Sequence, residues 1–326
     1  MKQTSFNMFS LLHNTIVYSI YKILYRSPRA ILPKEINDYS LVKNIKSKFS
    51  NDLANGIYKN KKNEYIFVKY WTGKFKNYNY NTLKNEAQIL SVTTNLLNKN
   101  SPKKFNNIRI PKLLQVIENE NSLFLITEYI KGSNIWNLPR KNQFEIYIHI
   151  SEYLDYLSTK INKNHKKLIS ARYGYHYIIL YFLLVIKAIL IRPNAWRLLL
   201  KGVPIVFFNI AKILTLDTKT LVHRDLTMDN IMYAKNTYYL IDFQLSVLTY
   251  KLLDYITTLA FTWNKKGQMH IHFIKDVLNP YLGKNNNTEL LKPLIIIAGT
   301  HKLIGTNFSS KRINDFKQFI EFGINL

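Results

Sequence analysis

The chain has 326 residues, 47% hydrophobic and 14% aromatic, enough to bury a full core and to exclude an intrinsically disordered protein. It contains no cysteine, which excludes disulfides, zinc–thiolate sites and cysteine nucleophiles and fits a reducing compartment. Its formal net charge of +26 predicts attraction to polyanions: nucleic acid, an anionic membrane or a phosphorylated substrate.

The N-terminal segment, residues 1–34, contains no acidic residue and has apolar side chains at helical spacing. This pattern predicts an amphipathic helix, which either packs on the rest of the protein or lies on a membrane. A cleaved secretory signal is not expected, because residues 13–15 interrupt the apolar centre and no small-residue cleavage site follows. The helix-spaced residues are Phe9, Leu12, Ile16, Ile20 and Ile23.

The next elements alternate between strands and one helix. Residues 50–56 are rich in Ser and Asn, contain a single glycine and predict a turn. Residues 64–71, which include Lys69, predict a strand because they are aromatic and β-branched. Residues 81–90, which include Glu86, predict a helix with Leu83, Ala87 and Leu90 on one side.

A second hairpin is predicted by two apolar runs, residues 110–117 and 123–130, joined across residues 118–121. Lys131-Gly132-Ser133 ends it.

Residues 156–216 are basic and contain no acidic residue. They include two apolar runs, 175–191 and 203–214. The first run is too short to span a bilayer, contains Lys187 and ends at Arg192-Pro193, so we reject a transmembrane helix. Two interpretations remain open: a core helix, or an apolar and basic surface that docks on an anionic bilayer.

The most informative motif is His223-Arg224-Asp225-Leu226-Thr227-Met228-Asp229-Asn230, followed by Asp242-Phe243. Residues 231–233 and 238–241 predict two short strands around a turn, which would bring Asn230 and Asp242 to the same edge of a hairpin. One carboxylate, one amide and a second carboxylate at this spacing are typical of phosphoryl transfer from a magnesium nucleotide.

With these motifs, roughly residues 45–260 resemble the protein-kinase-like superfamily, and within it the aminoglycoside phosphotransferase and choline kinase branch more than the protein kinases. The resemblance implies an α+β, bilobal fold with a small antiparallel-sheet N-lobe and a larger, mainly helical C-lobe. We expect an N-terminal basic helical segment (1–34), an N-lobe (35–131) and a C-lobe (132–326). An apolar, basic helical elaboration of the C-lobe is expected at about 165–215.

The resemblance also implies the ligands, ATP and Mg²⁺, and the site residues. Asp225 corresponds to the catalytic carboxylate, Asn230 and Asp242 to the metal ligands, and Lys69, paired with Glu86, to the lysine that contacts the nucleotide phosphates. For Lys69 the alternative is a solvated lysine at a strand edge. Expected adenine contacts are Glu128, Tyr129 and Ile130, and expected supporting residues are His223, Arg224, Phe243 and Asp254.

Three features of protein kinases are missing. The sequence has no GxGxxG loop before Lys69, Gln244 replaces the glycine of the DFG motif, and no APE motif follows. Small-molecule kinases of the superfamily usually lack all three, so these departures argue against a protein kinase.

The sequence therefore predicts a cytoplasmic kinase whose acceptor is a hydroxyl-bearing small molecule, sugar or glycolipid. The kinase is either free in the cytoplasm or peripheral on the inner face of a membrane. A glycolipid acceptor would be similar to that of the lipopolysaccharide core kinases. The alternative is a catalytically inactive kinase-fold protein that docks on an anionic membrane or nucleic acid. The net charge is the only feature that supports a nucleic-acid partner, so we disfavour this partner. His270 and His272 have no third metal ligand in the sequence pattern, so we do not expect a metal site there.

Overall fold

The computed structural model of the chain describes residues 29–46, 51–97, 102–262, 288–304 and 309–326. The predicted N-terminal helix, His270 and His272 lie outside these ranges. The chain divides into two compact units, which we call the sheet unit and the helical unit. The sheet unit comprises Met1–Asn137, Lys160–Ser170 and Met228–Ser246, and the helical unit comprises Leu138–Thr159, Ala171–Thr227 and Val247–Leu326.

The described strands form three sheets. A six-stranded antiparallel sheet has the order β1-β2-β3-β4-β7-β6, a four-stranded sheet has the order β5-β11-β10-β8, and β12 pairs with β9. The strands are β1 (Glu35–Ile36), β2 (Tyr39–Lys46), β3 (Leu53–Asn60), β4 (Tyr65–Thr72), β5 (Ile108–Arg109), β6 (Leu113–Asn119), β7 (Ser122–Glu128), β8 (Ser133–Asn134), β9 (Thr220–Val222), β10 (Ile231–Ala234), β11 (Thr237–Leu240) and β12 (Val247–Thr249).

The helices of the described residues include nine α-helices. They are α1 (Tyr78–Leu97), α2 (Arg140–Lys160), α3 (Lys163–Lys166), α4 (Gly174–Ile191), α5 (Trp196–Phe208), α6 (Ile210–Leu214), α7 (Leu252–Thr262), α8 (Thr288–Leu303) and α9 (Ser310–Asn325). The α+β, bilobal fold expected from the sequence is confirmed.

In the sheet unit, β4 lies between β3 and β7 and is the strand predicted around Lys69. Successive side chains of a strand point to opposite faces, so Lys69 and Trp71 share a face. Helix α1 packs on this strand, and its Leu83, Ala87 and Leu90 are buried, as the periodicity predicts. The ring centroid of Trp71 lies 5.0 Å from that of Tyr80 on α1.

The hairpin between Asn230 and Asp242 is confirmed. Strands β10 and β11 pair in register from Ile231–Leu240 to Ala234–Thr237. The two residues of the turn, Lys235 and Asn236, have φ angles of 48° and 60°. Positive φ at both central residues is typical of the tight turns that match the twist of a hairpin.

The prediction of a turn at residues 50–56 is wrong for its second half. Strand β3 begins at Leu53, and Gly56 lies between Asn44 on β2 and Val68 on β4. A Cβ atom at Gly56 would lie 2.7 Å from Cδ1 of Leu32. A glycine is therefore needed here because a side chain would clash with Leu32. Its main chain pairs with β2 and β4 and does not form a turn.

The expectation that the apolar run 175–191 is too short to span a bilayer is wrong on length, because α4 is long and apolar enough to cross a membrane by length and composition. A core helix of a soluble protein passes the same test, and one face of α4 does pack into the core. Its Tyr177, Tyr181, Val185 and Ala188 are buried with residues of the other helices. The second apolar run, 203–214, forms the end of α5 and helix α6.

Candidate active site

Lys69 is the centre of an ion-pair cluster in the sheet unit. Its Nζ lies 3.0 and 2.8 Å from the two carboxylate oxygens of Glu86 and 2.7 Å from Oδ1 of Asp242. The side chains of Lys69 and Glu86 are 11% and 4% exposed, whereas that of Asp242 is 39% exposed. The structure thus brings together three residues that the sequence places 17 and 173 positions apart, and Lys69 is not a solvated edge lysine.

Burial and charge act in opposite directions on this cluster. Burial opposes the charged form of Lys69, but the carboxylates of Asp242 and Glu86 outweigh it and raise the lysine pKa. Burial raises the pKa of Glu86, with Asp242 adding to the effect and Lys69 opposing it. The ammonium is held charged because two carboxylates share it.

Helix α1 also fixes the segment that follows Asp242. The main-chain N–H of Phe243 donates to Oε1 of Glu86 at 3.1 Å, and the Asn85 amide donates to the carbonyl of Ser246 at 2.8 Å. Phe243 is fully buried. Asp242 has a φ of 65°, a left-handed conformation that costs about 1–3 kcal/mol in a non-glycine residue. Two consecutive residues of α1 therefore hold the main chain that positions this carboxylate.

Asn230 lies at the opposite end of the hairpin from the turn. Asn230 is buried, and its main-chain carbonyl accepts a hydrogen bond of 2.9 Å from the main-chain N–H of Ile241, the residue before Asp242. Carboxylate and amide oxygens are hard ligands that suit Mg²⁺, so this donor set fits the metal expected from the sequence. Among the described residues, no group of three or more His, Cys, Asp and Glu side chains could hold a metal ion, so a dedicated all-protein metal cage is not observed there.

The predicted adenine contacts lie at the end of β7. The main-chain N–H of Glu128 donates to the carbonyl of Lys112, and the N–H of Lys112 donates to Oε1 of Glu128 at 2.8 Å. The carbonyl of Ile130 accepts from the N–H of Gly132 at 3.1 Å. The rings of Tyr129 and Tyr65 lie 6.0 Å apart. Glu128 and Ile130 thus make hydrogen bonds inside the protein, and their contact with a nucleotide stays a prediction.

The loop that contains Asp225 belongs to the helical unit and follows β9. Strand β9 pairs with β12, with Val222 opposite Val247, and the loop begins at the next residue. The main-chain N–H groups of His223 and Arg224 donate to the two carboxylate oxygens of Asp254 at 2.8 and 2.7 Å. Asp254, in the first turn of α7, is buried, and burial raises its pKa while these hydrogen bonds oppose the rise.

The main chain of this loop is also strained. Arg224 has a φ of 64°, and the N–H of Thr227 donates to the carbonyl of Asp225 at 2.8 Å. A left-handed non-glycine residue persists only where its surroundings over-determine it. Here the Asp254 carboxylate supplies that constraint, and Asp225 directly follows the constrained residue.

A comparison with protein families matches residues 45–266 to the family described as protein tyrosine and serine/threonine kinase. The chain belongs to the kinase family. The enzymes of this family transfer a phosphoryl group from ATP to a hydroxyl group, so the protein is an ATP-dependent phosphotransferase.

Solved structures with a similar fold include an aminoglycoside phosphotransferase, an amicoumacin kinase and a choline kinase. An aminoglycoside phosphotransferase, APH(4)-Ia, in complex with AMP-PNP and hygromycin B, has a TM-score of 0.57 at 8% identity, over 88% of this chain and 94% of that one. The amicoumacin kinase hAmiN has a TM-score of 0.54 at 11% identity, over 98% and 96%. A choline kinase from Cryptosporidium parvum has a TM-score of 0.50 at 14% identity, over 95% and 93%. No curated protein matches the chain.

Two residues of this kinase were not found from the sequence. Asn85 binds the main chain after Asp242, but a polar residue beside Glu86 gives no signal of that contact. Lys302, in the last turn of α8, interacts electrostatically with Asp225, 77 positions away. Burial lowers the pKa of Lys302 to about 8, and Asp225 opposes the shift. Only the tertiary fold brings this lysine near Asp225.

Proposed function

We propose that this kinase transfers the γ-phosphoryl group of ATP to a hydroxyl group of a small-molecule acceptor. The observation that carries the proposal is the cluster of Lys69, Glu86 and Asp242, in which one ammonium is held between two carboxylates. The left-handed main chain of Asp242, which Asn85 and Glu86 hold in place, supports a functional role for this carboxylate, because backbone strain is concentrated at functional sites. The similar solved structures act on, or were solved with, small molecules: hygromycin B, amicoumacin and choline.

In this proposal Lys69 binds the nucleotide phosphates, and Glu86 fixes the position of its ammonium. Asn230 and Asp242 hold Mg²⁺, which when bound neutralises phosphate charge. Asp225 orients the acceptor hydroxyl and takes its proton as the hydroxyl oxygen attacks the γ-phosphorus, while the bond from the γ-phosphorus to the β,γ-bridging oxygen breaks and ADP leaves. Glu128, Tyr129 and Ile130 contact the adenine.

The supporting residues act through the main chain. Asp254 fixes the N–H groups of His223 and Arg224, so it positions Asp225 without contacting substrate. Phe243 anchors the segment after Asp242 by its burial. With the boundaries proposed from the sequence, all of these supporting residues belong to the C-lobe (132–326), whereas Lys69 and Glu86 belong to the N-lobe (35–131).

For the acceptor we propose an alcohol on a sugar, including the sugar of a glycolipid. The charge of the chain, +26, disfavours a cationic aminoglycoside and favours a neutral or anionic acceptor. We propose a cytoplasmic location, because the cytoplasm supplies ATP. The inactive kinase-fold binding protein considered in the sequence analysis has no observation in its favour, because the chain belongs to a family of phosphotransferases.

The test is Mg²⁺-dependent ATP turnover by the purified chain with sugars, amino alcohols, glycolipid extracts and protein substrates. We expect turnover with one class of small-molecule acceptor and a loss of about 10²–10⁴-fold in kcat for Asp225→Asn. Asp217→Asn is the matched control, because Asp217 is exposed and pairs only with nearby Lys219 among the contacts described. Nucleotide binding without turnover on any acceptor would favour the inactive alternative, and turnover with protein alone would overturn the acceptor class.

A further inference from the structure

The outer face of α5 is apolar where a surface helix is normally polar. The helix buries Leu199, Gly202 and Val206. On the opposite side, Phe207 and Phe208 are 58% and 81% exposed, and their ring centroids lie 5.9 Å apart. Trp196 and Leu200 are also exposed on this side. A soluble monomer rarely exposes large apolar side chains in a contiguous group, and such groups mark interaction sites.

Helix α4 presents the same kind of surface. Leu183, Ile186 and Leu190 recur at helical spacing and are exposed, Ile186 by 61% and Leu190 by 78%. They lie opposite the buried Tyr181 and Ala188. Only a short turn joins the two helices, and they pack against each other. We call the exposed apolar side chains of both helices the docking face: Leu183, Ile186, Leu190, Leu200, Phe207 and Phe208.

The charged side chains of α4 and α5 are all basic. Lys187 lies beside Ile186 on α4, and Arg197 and Lys201 lie beside Leu200 on α5, all three exposed. The Arg197 guanidinium lies 5.2 Å from the Trp196 ring centre. No acidic residue occurs between Asp155 and Asp217. Apolar side chains with interspersed Lys and Arg are typical of helices that lie in the interface of an anionic bilayer.

Charge also decides against a second copy of the chain. A symmetric dimer through this face would bring Lys187, Arg197 and Lys201 of one copy against the same residues of the other, which is repulsive. An anionic lipid surface attracts them. A membrane-spanning role for α4 conflicts with its buried face, because Tyr177, Tyr181 and Val185 pack in the core of the helical unit.

We propose that the docking face binds the surface of an anionic phospholipid bilayer, with its apolar side chains inserted and its lysines and arginines against the headgroups. The proposal does not depend on the phosphotransferase activity. It would place a kinase with a lipid-linked acceptor at the surface where that acceptor is found.

The experiment measures binding of the full chain to vesicles of phosphatidylcholine alone and of an equal mixture of phosphatidylcholine and phosphatidylglycerol. We expect binding to the mixed vesicles that weakens with salt, because surface charge interactions are screened. The double variant Phe207→Ser/Phe208→Ser should bind at least about tenfold more weakly, since it loses two inserted rings. Arg197→Gln/Lys201→Gln should lose about fivefold for each charge removed.

Two controls separate this face from general adsorption by a basic protein. Lys61→Gln/Lys62→Gln removes two exposed charges of the sheet unit, and Val42→Ser removes an exposed apolar side chain there. Both should bind as the wild type does, and all variants should keep the wild-type circular dichroism spectrum and unfolding midpoint.

Three results would overturn the proposal. One is no preference of the wild type for anionic vesicles. Another is binding that Phe207→Ser/Phe208→Ser leaves unchanged, which would mean adsorption by net charge alone. The third is concentration-dependent dimerisation that this double variant abolishes, which would assign the face to a second copy of the chain.

Discussion

Lys69 Nζ lies 2.7 Å from Oδ1 of Asp242, although the two residues are 173 positions apart. This contact joins the central strand β4 to the segment after the β10–β11 hairpin, inside one compact unit. The same ammonium is held by Glu86 from α1. Three elements of the sheet unit therefore depend on one buried charge.

The first prediction concerns Glu86. Glu86→Gln keeps an oxygen that can accept from Phe243 N–H but removes the charge that faces Lys69. We expect the free energy of unfolding to fall by about 1–3 kcal/mol, the range for a hydrogen bond to a charged group. We also expect kcat/KM for ATP to fall at least about tenfold. Urea denaturation and steady-state kinetics measure the two effects.

The control for this variant is Glu118→Gln. Glu118 pairs with Lys76 and Lys84 on the surface, and exposed pairs contribute only about 0–1 kcal/mol. Its kinetics should match the wild type. If Glu86→Gln and Glu118→Gln behave alike, the buried cluster is not what fixes Lys69.

The second prediction concerns Asp254, whose carboxylate accepts hydrogen bonds from the main-chain N–H groups of His223 and Arg224. Asp254→Ala leaves two main-chain donors without this acceptor, at a cost of about 1–3 kcal/mol for each buried group. We expect a clear loss of stability and a fall in kcat larger than the change in KM for ATP. Asp254→Asn keeps one oxygen acceptor and should retain more of both. Equal kcat for wild type and Asp254→Ala would exclude a positioning role.

The third prediction concerns Gly174, the first residue of α4. A Cβ atom there would lie 1.8 Å from the carbonyl oxygen of Ile213, so the main chain of α6 would have to move. We expect Gly174→Ala to lower the free energy of unfolding by at least about 1–3 kcal/mol, measured by urea denaturation. Leu190→Ala, an exposed position of the same helix, should change it by no more than about 0.5 kcal/mol. A stable Gly174→Ala would mean that α4 and α6 do not approach this closely.

The fourth prediction concerns pH. Burial lowers the pKa of Lys302 to about 8, against about 10.4 in an unfolded chain. Between these values the unfolded chain holds a proton that the folded chain has released, so the contribution of Lys302 to stability rises with pH. Below pH 8 both states are protonated, and the full cost of burying the charge is present.

We therefore expect the stability difference between wild type and Lys302→Met to shift in favour of the wild type by about 1–3 kcal/mol from pH 8 to pH 10. Taking the difference cancels the titration of groups common to both proteins. Lys292→Met, on the same helix, tests whether any lysine removal has this effect. A difference independent of pH would contradict the lowered pKa.

The sequence predicted the elements that local pattern determines. Alternation and turn residues predicted the β10–β11 hairpin, and helical spacing predicted the buried side of α1 with Leu83 and Ala87. The pairing of Lys69 with Glu86 followed from the family resemblance and is present in the structure. The proposed roles of these residues in catalysis stay predictions.

Other features depend on contacts between distant segments and had no local signal. The polar residues before Gly56 predicted a turn, but strand pairing on both sides overrides that preference. The positive φ of Arg224 follows from Asp254, 30 positions away. Likewise, the pattern of α4 predicts an apolar helix, but only the packing of its neighbours decides which face is covered.

The Lys69 cluster reverses the sign of charge in its own neighbourhood. One ammonium faces two carboxylates, so the ionised cluster carries a formal charge of −1 within a chain of +26. The chain as a whole attracts polyphosphates from a distance, whereas the cluster repels a bare one at close range. If the cluster binds the nucleotide phosphates as proposed, the nucleotide should bind together with its counter-cation, and free ATP in excess of magnesium should be a poor ligand.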